Sequence, residues 1–439
     1  MTQMMRSLIL AGVSQFALAN AFAADPPDDA VLRANAMAGV AATKACIAPL
    51  NNPFHESRAY AMMHIAIHDA LNAIDRRYQP YAYDKKADPD ALPEAAVTAA
   101  AHDVLVQTIG QLPLEVVKQD CIDAGVASIE AAYTTAMAAL PEGAAKTKGI
   151  AVGQEAAAAI IAKRAKDNAT EATFINANCP PVGQPGGYQC TPGLPAKFIA
   201  FEAWGKVTPF VLQDSTQFRP QPPYAVTDAK FKTDIEEVKR LGGDGKSTPS
   251  ARTDDQTEAA LFWLESSPLK WSRIARTVAS NENLDMWQNA KLFAILDMAL
   301  ADGYIAMSAS KNHYNFWRPV TAIHSTGDTT WTPLRPTPPN QDYPSGHSIE
   351  GGVGAEVLKQ LMGTDQIKFQ DCGATLPEGS TCYDSKPVLR SFNSFTQAAD
   401  ENAISRVYVG FHFRNATVEG TAYGRKIGER ASALLPAVK

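Results

Sequence analysis

Apolar residues recur three and four positions apart through most of the chain, which is the spacing of amphipathic helices. Alternating apolar and polar positions, which would indicate half-buried strands, are sparse. The predicted helical segments are 56–74, 92–112, 114–140, 145–166, 228–241, 254–266, 284–309, 348–362, 395–408 and 418–435. The pattern predicts an all-α fold, a large helical bundle with its functional site between facing helices.

Two stretches interrupt the helical pattern. Residues 168–196 are rich in proline, glycine and asparagine, and residues 331–344 are rich in proline, so both are predicted to be loops. No repeat of fixed period and no clear domain boundary stands out. We therefore predict one helical domain over residues 24–439.

The first 23 residues have the pattern of a secretory signal peptide. Arg6 precedes a moderately apolar stretch, residues 8–18, and Ala21-Phe22-Ala23 forms a small-x-small cleavage site. Cleavage after residue 23 or 24 fits equally well, and a buried N-terminal helix is the alternative. A signal peptide predicts export across the inner membrane, so that the mature protein is periplasmic or extracellular.

The charge balance narrows the possible partners. The 439 residues carry a formal net charge of −6, whereas general binders of nucleic acid or anionic membranes need a basic face. We expect no nucleic-acid partner. Beyond the signal we find no apolar run of about 18 residues, so we expect no membrane insertion of the mature chain.

All six cysteines lie in the predicted mature part, and an even number in an exported protein indicates disulfides. Cys179 and Cys190 bracket a proline- and glycine-rich segment, and Cys372 and Cys382 bracket a second turn-rich segment. Cys46 and Cys121 then pair by elimination. Metal binding is the alternative, although no C-x-x-C spacing occurs.

Three short segments carry residues suited to an oxyanion. In the first, Lys311 and Arg318 are seven residues apart, so one helix would place both cations on the same face, before Pro319 limits the helix. Two adjacent cations repel each other, and a bound anion between them would explain the arrangement. Two solvated surface cations are the simpler interpretation of this segment alone.

The second segment, Pro344-Ser345-Gly346-His347, follows the proline-rich loop and opens a predicted helix. Ser345 suits the N-cap position, and Gly346 lets a ligand approach its backbone N–H closely. Free N–H groups and the helix dipole make such a start an anion site. His347 could exchange a proton with a bound oxygen. An ordinary capped helix is the alternative.

The third segment runs from Ser405 to His412. Arg406 offers a planar fork that matches oxyanion edges. His412 could attack phosphorus as a nucleophile or bind a metal oxyanion as a ligand. A salt-bridged arginine and a buried structural histidine are the alternative. Together, the three segments supply three cations, backbone donors, a hydroxyl and two histidines for a phosphate or vanadate ion.

These motifs resemble those of the vanadium-dependent haloperoxidase and type 2 phosphatidic acid phosphatase superfamily, whose pattern is KxxxxxxRP, PSGH and SRxxxGxHxxxD. The chain contains the first two in full and the third through His412, with Ala416 at the position of the final aspartate. Segments such as Ala59-Tyr-Ala-Met-Met-His-Ile-Ala are similar to the soluble bacterial haloperoxidase-like branch. The resemblance covers most of the mature chain.

The resemblance implies a role for each site residue. His412 would be the axial vanadate ligand of a peroxidase, and hence the metal ligand, or the phosphorylated nucleophile of a phosphatase. His347 would be the acid–base residue. Lys311 would also polarise bound peroxide. The equatorial oxygens would be held by Lys311, Arg318, Ser345, the Gly346 N–H and Arg406.

Two positions depart from the family pattern. The family aspartate orients the nucleophilic histidine, so Ala416 requires a backbone carbonyl or another acid to take that role. Family haloperoxidases often carry an aromatic residue seven positions before the PSGH histidine, where this chain has Asn340. Separately, the i,i+4 pair His64 and His68 could bind a metal, or could pack in the core.

Three functional hypotheses follow. The first is an exported vanadate-dependent haloperoxidase that oxidises halide with hydrogen peroxide. The second is a soluble periplasmic phosphatase that hydrolyses a phosphate ester through a phospho-histidine. The third, motivated by Ala416, is an oxyanion-binding protein with little catalysis. Vanadate is the expected cofactor, and phosphate could occupy the same site.

Overall fold

The protein is described here from a computed structural model that covers residues 29–170, 175–176, 178–181, 183–192 and 198–438. The predicted signal peptide, residues 1–23, lies outside the described residues. The single-domain boundaries remain a prediction.

Helices dominate the described chain, so the all-α prediction is confirmed. The helices are α1 (Ala30–Lys44), α2 (Pro53–Ile74), α3 (Pro93–Gly110), α4 (Gln119–Ala138), α5 (Ala144–Arg164), α6 (Ala229–Leu241), α7 (Asp254–Phe262), α8 (Ser267–Asn281), α9 (Met286–Tyr314), α10 (Pro319–Ser325), α11 (Gly346–Met362), α12 (Phe395–Tyr408) and α13 (Arg414–Ser432). Each predicted helical segment corresponds to one of them, whereas α1, α8 and α10 were not predicted.

Strands are minor elements. Two antiparallel pairs occur among the described residues: β1 (Ile175–Asn176) with β2 (Ile199–Ala200), and β3 (Phe369–Cys372) with β4 (Leu389–Phe392). A short 3-10 helix spans Glu202–Lys206 and packs on α9. All of these lie outside the helical layers.

Helices α9 and α11 organise the packing. Helix α2 packs along α9 and joins it to α3 and α5, while α11 packs against α9, α12 and α13. One hydrophobic core runs through both groups, from Ala30 in α1 to Leu435 after α13. The segments that carry the three motifs therefore converge around α9 and α11.

Helices α11 and α13 approach each other closely because Gly424 has no side chain. A Cβ built on Gly424 would lie 1.9 Å from the carbonyl oxygen of Ile349 in α11. This close approach sets the position of the PSGH helix relative to the chain that follows His412.

We expect Gly424→Ala to destabilise the protein by about 3 kcal/mol, because neither backbone can yield to the added methyl group. Chemical denaturation measures the change. Gly110→Ala is the matched control, since a Cβ at this helical position meets no atom within 4 Å, and it should change stability by about 1 kcal/mol or less. Equal effects at both positions would contradict the packing described.

Lys311 and Arg318 do not share a helix, so that prediction is wrong. Helix α9 ends at Tyr314. Asn315 follows in a left-handed conformation (φ 47°), and its backbone N–H donates to the Lys311 carbonyl. Asparagine is one of the few residues that tolerate this conformation. Arg318 is instead the N-cap of α10, which begins with Pro319.

Helix α9 is also long and apolar enough, by length and composition, to cross a membrane, contrary to our reading that no such run follows the signal. In the structure, 94% of its apolar window is buried within the protein. Buried core helices of soluble proteins can have the same length and apolar composition, and the burial of α9 makes it the central core helix.

The three predicted disulfides are present: Cys46–Cys121, Cys179–Cys190 and Cys372–Cys382. Cysteine metal binding is thereby excluded, because all six sulfurs are bonded to one another.

The histidine pair in α2 is part of the core. His64 Nδ1 lies 2.5 Å from Asp297 Oδ2, and His68 Nδ1 lies 2.9 Å from Asp69 Oδ1, with all four side chains buried. Each ring is held by a different carboxylate, which supports the packing interpretation over a shared metal.

Candidate active site

The predicted site residues meet at one cavity of about 420 Å³. They come from the end of α9, the start of α10, the N-terminus of α11, the end of α12 and the loop before α13. Those that line the cavity are Lys311, Arg318, Gly346, His347, Arg406 and His412. Segments separated by up to a hundred residues therefore form a single site.

Ser345 is buried next to this cavity but does not line it. It occupies the predicted N-cap position of α11 without making a side-chain capping bond. Its Oγ instead accepts from the Ser348 hydroxyl at 2.9 Å, and its N–H donates to the Ala416 carbonyl at 3.0 Å. Because Ser345 Oγ is the acceptor in this bond, its own O–H can still donate to another group.

Gly346 starts α11 directly beneath the cavity. A Cβ at this position would lie 2.4 Å from Met307 Sδ, so glycine is the residue that fits against α9. Its N–H group belongs to the first turn of the helix, where backbone donors lack partners within the helix. This is the geometry of an anion-binding helix start.

Arg318 is fixed by backbone and amide oxygens. Its Nε donates to the Asn340 carbonyl at 2.7 Å, its Nη2 to Asn340 Oδ1 at 2.6 Å, and its Nη1 to the Phe411 carbonyl at 2.9 Å. Asn340 therefore helps to orient the guanidinium, and its Oδ1 contact is one that an aromatic side chain at this position could not make. The departure from the family pattern at Asn340 therefore adds a side-chain acceptor for Arg318.

The other two cations are also held at the cavity wall. Lys311 donates through Nζ to the carbonyls of Gln341 and, at 3.0 Å, of Asp342. Arg406 donates through Nη1 to the Trp263 carbonyl at 2.8 Å, while its buried Nε has no hydrogen-bond partner within the described part of the chain. A buried cationic donor without a partner is costly, and an anion in the cavity would supply the missing acceptor.

His412 is oriented by a carboxylate that the motif analysis missed. Its Nδ1 lies 2.8 Å from Asp342 Oδ1, and both side chains are buried. Its Nε2 lies 2.9 Å from Arg318 Nη1. Since a carboxylate accepts from Nδ1–H, the lone pair lies on Nε2, where it accepts from Arg318 Nη1. A ligand atom that binds Nε2 would replace this hydrogen bond.

Asp342 thus supplies the acid that is absent at Ala416, a buried position with 1% exposure. In the sequence, the sign of this acid was a carboxylate two residues before Pro344 of the second motif. Sequence spacing alone could not pair it with a histidine 70 residues later, because the contact depends on how the proline-rich loop folds over the α12–α13 connection.

Burial and mutual repulsion perturb the ionisable groups. Burial, and then the neighbouring Arg318, lowers the pKa of Lys311 well below its usual value. Burial and Arg318 lower the pKa of Arg406 to about 9. Burial raises the pKa of Asp342 to about 7, although Arg318 and Lys311 oppose this. Three buried cations face one carboxylate, so the site favours a bound anion.

His347 completes the cavity wall. Its Nε2 lies 3.2 Å from the Glu265 carbonyl oxygen. Burial, followed by the charge of Arg406, lowers its pKa well below the usual value. A neutral imidazole beside three cations can accept a proton from a bound ligand and return it.

Anion binding should be coupled to proton uptake by Lys311. The pKa of Lys311 is lowered in the free protein, and a bound anion raises it by stabilising the ammonium form. The affinity for the anion should therefore fall as pH rises from the Lys311 pKa of the free protein to that of the complex. Sulfate is the suitable probe, since it carries no titrating proton near neutral pH. Calorimetry in two buffers of different ionisation enthalpy should reveal uptake, and Lys311→Met should reduce it, because Asp342, whose pKa is raised to about 7, also takes up protons when an anion binds. Identical enthalpies in the wild-type protein would contradict the prediction.

Fold and site together define a helical protein with a buried, cationic oxyanion cavity and a carboxylate-oriented histidine. A family model for the VCPO second helical-bundle domain matches residues 291–438, which include all seven predicted site residues. Vanadium chloroperoxidase from Curvularia inaequalis is 23% identical over 464 residues, covering 83% of this chain and 75% of that protein.

Solved structures agree with these matches. The first bacterial vanadium-dependent iodoperoxidase is similar with a TM-score of 0.75 and 25% identity, covering 93% of this chain and 96% of that chain. An apo-type bacterial vanadium-dependent chloroperoxidase is similar in fold, with a TM-score of 0.68 and 15% identity over 88% of this chain and 94% of that chain. The chain is therefore similar to vanadium haloperoxidases in the segment that carries the site residues, and in fold along most of its length.

Proposed function

We propose that the protein is a vanadate-dependent haloperoxidase that oxidises halide with hydrogen peroxide. The observation that carries the proposal is the His412–Asp342 pair, which leaves the lone pair of His412 on Nε2, beside Arg318 at a cavity walled by three cations. The vanadium chloroperoxidase and iodoperoxidase relatives support the same conclusion. The overall reaction converts one hydrogen peroxide, one halide ion and one proton into hypohalous acid and water.

The residues of the cavity fit a vanadate ion. Lys311, Arg318 and Arg406 would neutralise its charge, the unpartnered Nε of Arg406 would gain an acceptor, and the Gly346 N–H would hold an oxygen. His412 Nε2 would bind the metal. When bound, vanadate supplies a Lewis acid that activates hydrogen peroxide toward attack by halide.

The chain's own residues then have distinct roles. Asp342 holds the Nδ1 proton of His412, which keeps Nε2 unprotonated and strengthens its basicity as a ligand. His347 takes a proton from incoming peroxide and returns one to the departing oxygen. Lys311 and Arg318 stabilise negative charge on the oxygens as the O–O bond breaks.

A soluble phosphatase is the second candidate, because the phosphoryl transition state presents the same charge and geometry to these residues. His412 would then attack phosphorus and His347 would protonate the leaving alcohol. The oxyanion-binding hypothesis loses its motivation, since it rested on Ala416 and Asp342 provides the missing acid.

We also propose that the protein acts outside the cytoplasm. The three disulfides support this location, because disulfides persist in oxidising compartments.

A paired assay on purified protein separates the two activities. One arm adds orthovanadate, peroxide and bromide and follows bromination of a phenol dye, while the other adds a chromogenic phosphate ester without vanadate. We expect bromination that saturates with vanadate and is inhibited by phosphate. Ester hydrolysis without bromination at any pH would overturn the peroxidase assignment in favour of the phosphatase.

A further inference from the structure

The connection between α7 and α8, residues 263–266, reaches the active cavity through its backbone. The Glu265 carbonyl oxygen lies 3.2 Å from His347 Nε2, and the Trp263 carbonyl accepts from Arg406 Nη1 at 2.8 Å. Both His347 and Arg406 line the cavity. This short connection therefore orients two side chains of the site.

The side chain of Glu265 is buried and anchors this connection. Its Oε1 accepts from Lys270 Nζ at 2.9 Å and from Arg273 Nη2 at 2.6 Å, and both cations lie on α8. Asp371 in β3 binds the same two cations, with Oδ2 accepting from Lys270 Nζ at 2.9 Å and Oδ1 from Arg273 Nε at 2.7 Å. These four residues are called here the charge cluster.

The charge cluster favours one position for Glu265. Its two cations and two carboxylates balance in charge, and Lys270 and Arg273 each donate a further hydrogen bond to the Cys372 carbonyl, at 2.8 Å and 2.9 Å. Moving one member away would leave an uncompensated buried charge, which is costly. The carbonyl of Glu265 is placed together with its side chain.

The Glu265 carbonyl also selects the tautomer of His347. Because a carbonyl oxygen only accepts hydrogen bonds, the neighbouring Nε2 must carry the proton of the neutral imidazole, and the lone pair then lies on Nδ1. Nδ1 is therefore the ring nitrogen that can take a proton from a bound ligand. A ring without this acceptor would divide between its two tautomers.

We infer that Glu265 is a positioning residue: its ion pairs within the charge cluster hold its carbonyl on His347 Nε2 and thereby keep Nδ1 as the proton-accepting atom. This inference rests on the proposed haloperoxidase function. In that reaction, the Nδ1 lone pair forms the bond to the proton that hydrogen peroxide loses. The resulting imidazolium returns this proton to the oxygen that leaves as the O–O bond breaks, while Nε2–H keeps its bond to the carbonyl.

Two charge-balanced double variants test the inference. The first, Glu265→Leu with Lys270→Met, leaves the Arg273–Asp371 pair and removes the anchor of the carbonyl. The second, Asp371→Leu with Lys270→Met, leaves the Arg273–Glu265 pair and keeps that anchor. Each removes one charge of either sign. Since apolar replacement of a buried ion pair is often neutral for stability, chemical denaturation should find both variants folded.

Heteronuclear NMR of vanadate-free protein, labelled with heavy nitrogen in its histidines, reads the tautomer directly. Burial lowers the pKa of His347 well below its usual value, so its ring is neutral at pH 7. Its signals are those that a His347→Gln variant loses. We expect a protonated Nε2 and an unprotonated Nδ1 in the wild-type protein and in the Asp371 variant, and signals averaged between the tautomers in the Glu265 variant.

Two NMR results would overturn the inference. One is a wild-type ring with its proton on Nδ1, which requires no variant to fold. The other is an equal response of the two double variants, whether both change the ring or neither does.

Activity gives a second readout. In the Glu265 variant we expect kcat for bromination to fall about tenfold, because the proton acceptor is no longer held in one form. Vanadate affinity should be unchanged, since Trp263, which holds Arg406, is anchored separately through its Nε1 on Glu401 Oε1 at 2.9 Å. The Asp371 variant should keep both properties. Equal losses of kcat and vanadate affinity in the Glu265 variant would contradict the inference. If wild-type protein oxidises no bromide, the proposed function fails, while the NMR result still decides the tautomer.

Discussion

Replacing His412 with alanine is expected to reduce bromide oxidation to the level of free vanadate in solution. His412 is buried, its Nδ1 is held by Asp342, and its Nε2 faces the cavity. His347, the other histidine that lines the cavity, has its Nε2 on the Glu265 carbonyl rather than a ring nitrogen on a carboxylate. Steady-state bromination and equilibrium dialysis of vanadate would measure the two losses together.

His313→Ala is the matched control for this variant. His313 is an exposed residue near the end of α9, its ring contacts Tyr314, and it does not line the cavity. It should retain wild-type bromination and vanadate affinity. Substantial bromination by the His412 variant, with vanadate still bound, would mean that another group carries the metal.

Asp342→Asn is expected to weaken vanadate binding by about 10–100-fold, the usual cost of removing a partner that orients a metal ligand. The amide lacks the charge that keeps the proton on Nδ1 of His412, and its own N–H₂ group could face that nitrogen instead. The ring would then lose the single orientation that directs Nε2 into the cavity. Vanadate affinity, measured by dialysis, reports this change independently of turnover.

Glu350→Gln provides the control for removing a buried acid. Glu350 lies in α11, and its two buried oxygens have no hydrogen-bond partner among the described residues. Burial raises its pKa well above the usual value, which favours the neutral form. The amide should therefore leave vanadate affinity unchanged. An equal loss in both variants would indicate a general effect of core disturbance rather than orientation of His412.

The apolar spacing was sufficient to predict the helical architecture, because long amphipathic segments such as α2 and α9 leave little ambiguity about period. Helices α1 and α8 were not predicted because polar side chains interrupt their apolar faces. Asn35 and Lys270 are examples, and both are buried through tertiary contacts. Such contacts are not encoded in local spacing.

The motifs were sufficient to predict which residues form the site, but not how the chain brings them together. Lys311, Arg318, Arg406 and His412 meet at the cavity as expected, but the helix invoked to bring the first two together ends at Tyr314. The break depends on Asn315 taking a left-handed conformation, which sequence spacing permits without requiring. Ser345 and Asp342 required the structure, because one is turned toward Ser348 and the other acts across the fold on His412.

The carboxylate that the family pattern places at position 416 is replaced by that of Asp342. The acid comes from the proline-rich loop before α11 instead of from α13, and the same loop supplies Asn340 to hold Arg318. The replacement for the missing acid and the departure at Asn340 therefore lie in the same loop, whose residues support the histidine and the arginine at the cavity.

A crystal structure of the protein with bound orthovanadate tests the central claim most directly. The account predicts one vanadate per chain, bonded through the metal to His412 Nε2, with Asp342 retained on Nδ1 and with oxygens in contact with Lys311, Arg318 and Arg406. Vanadate bound elsewhere, or held in the cavity without a bond to His412, would contradict it.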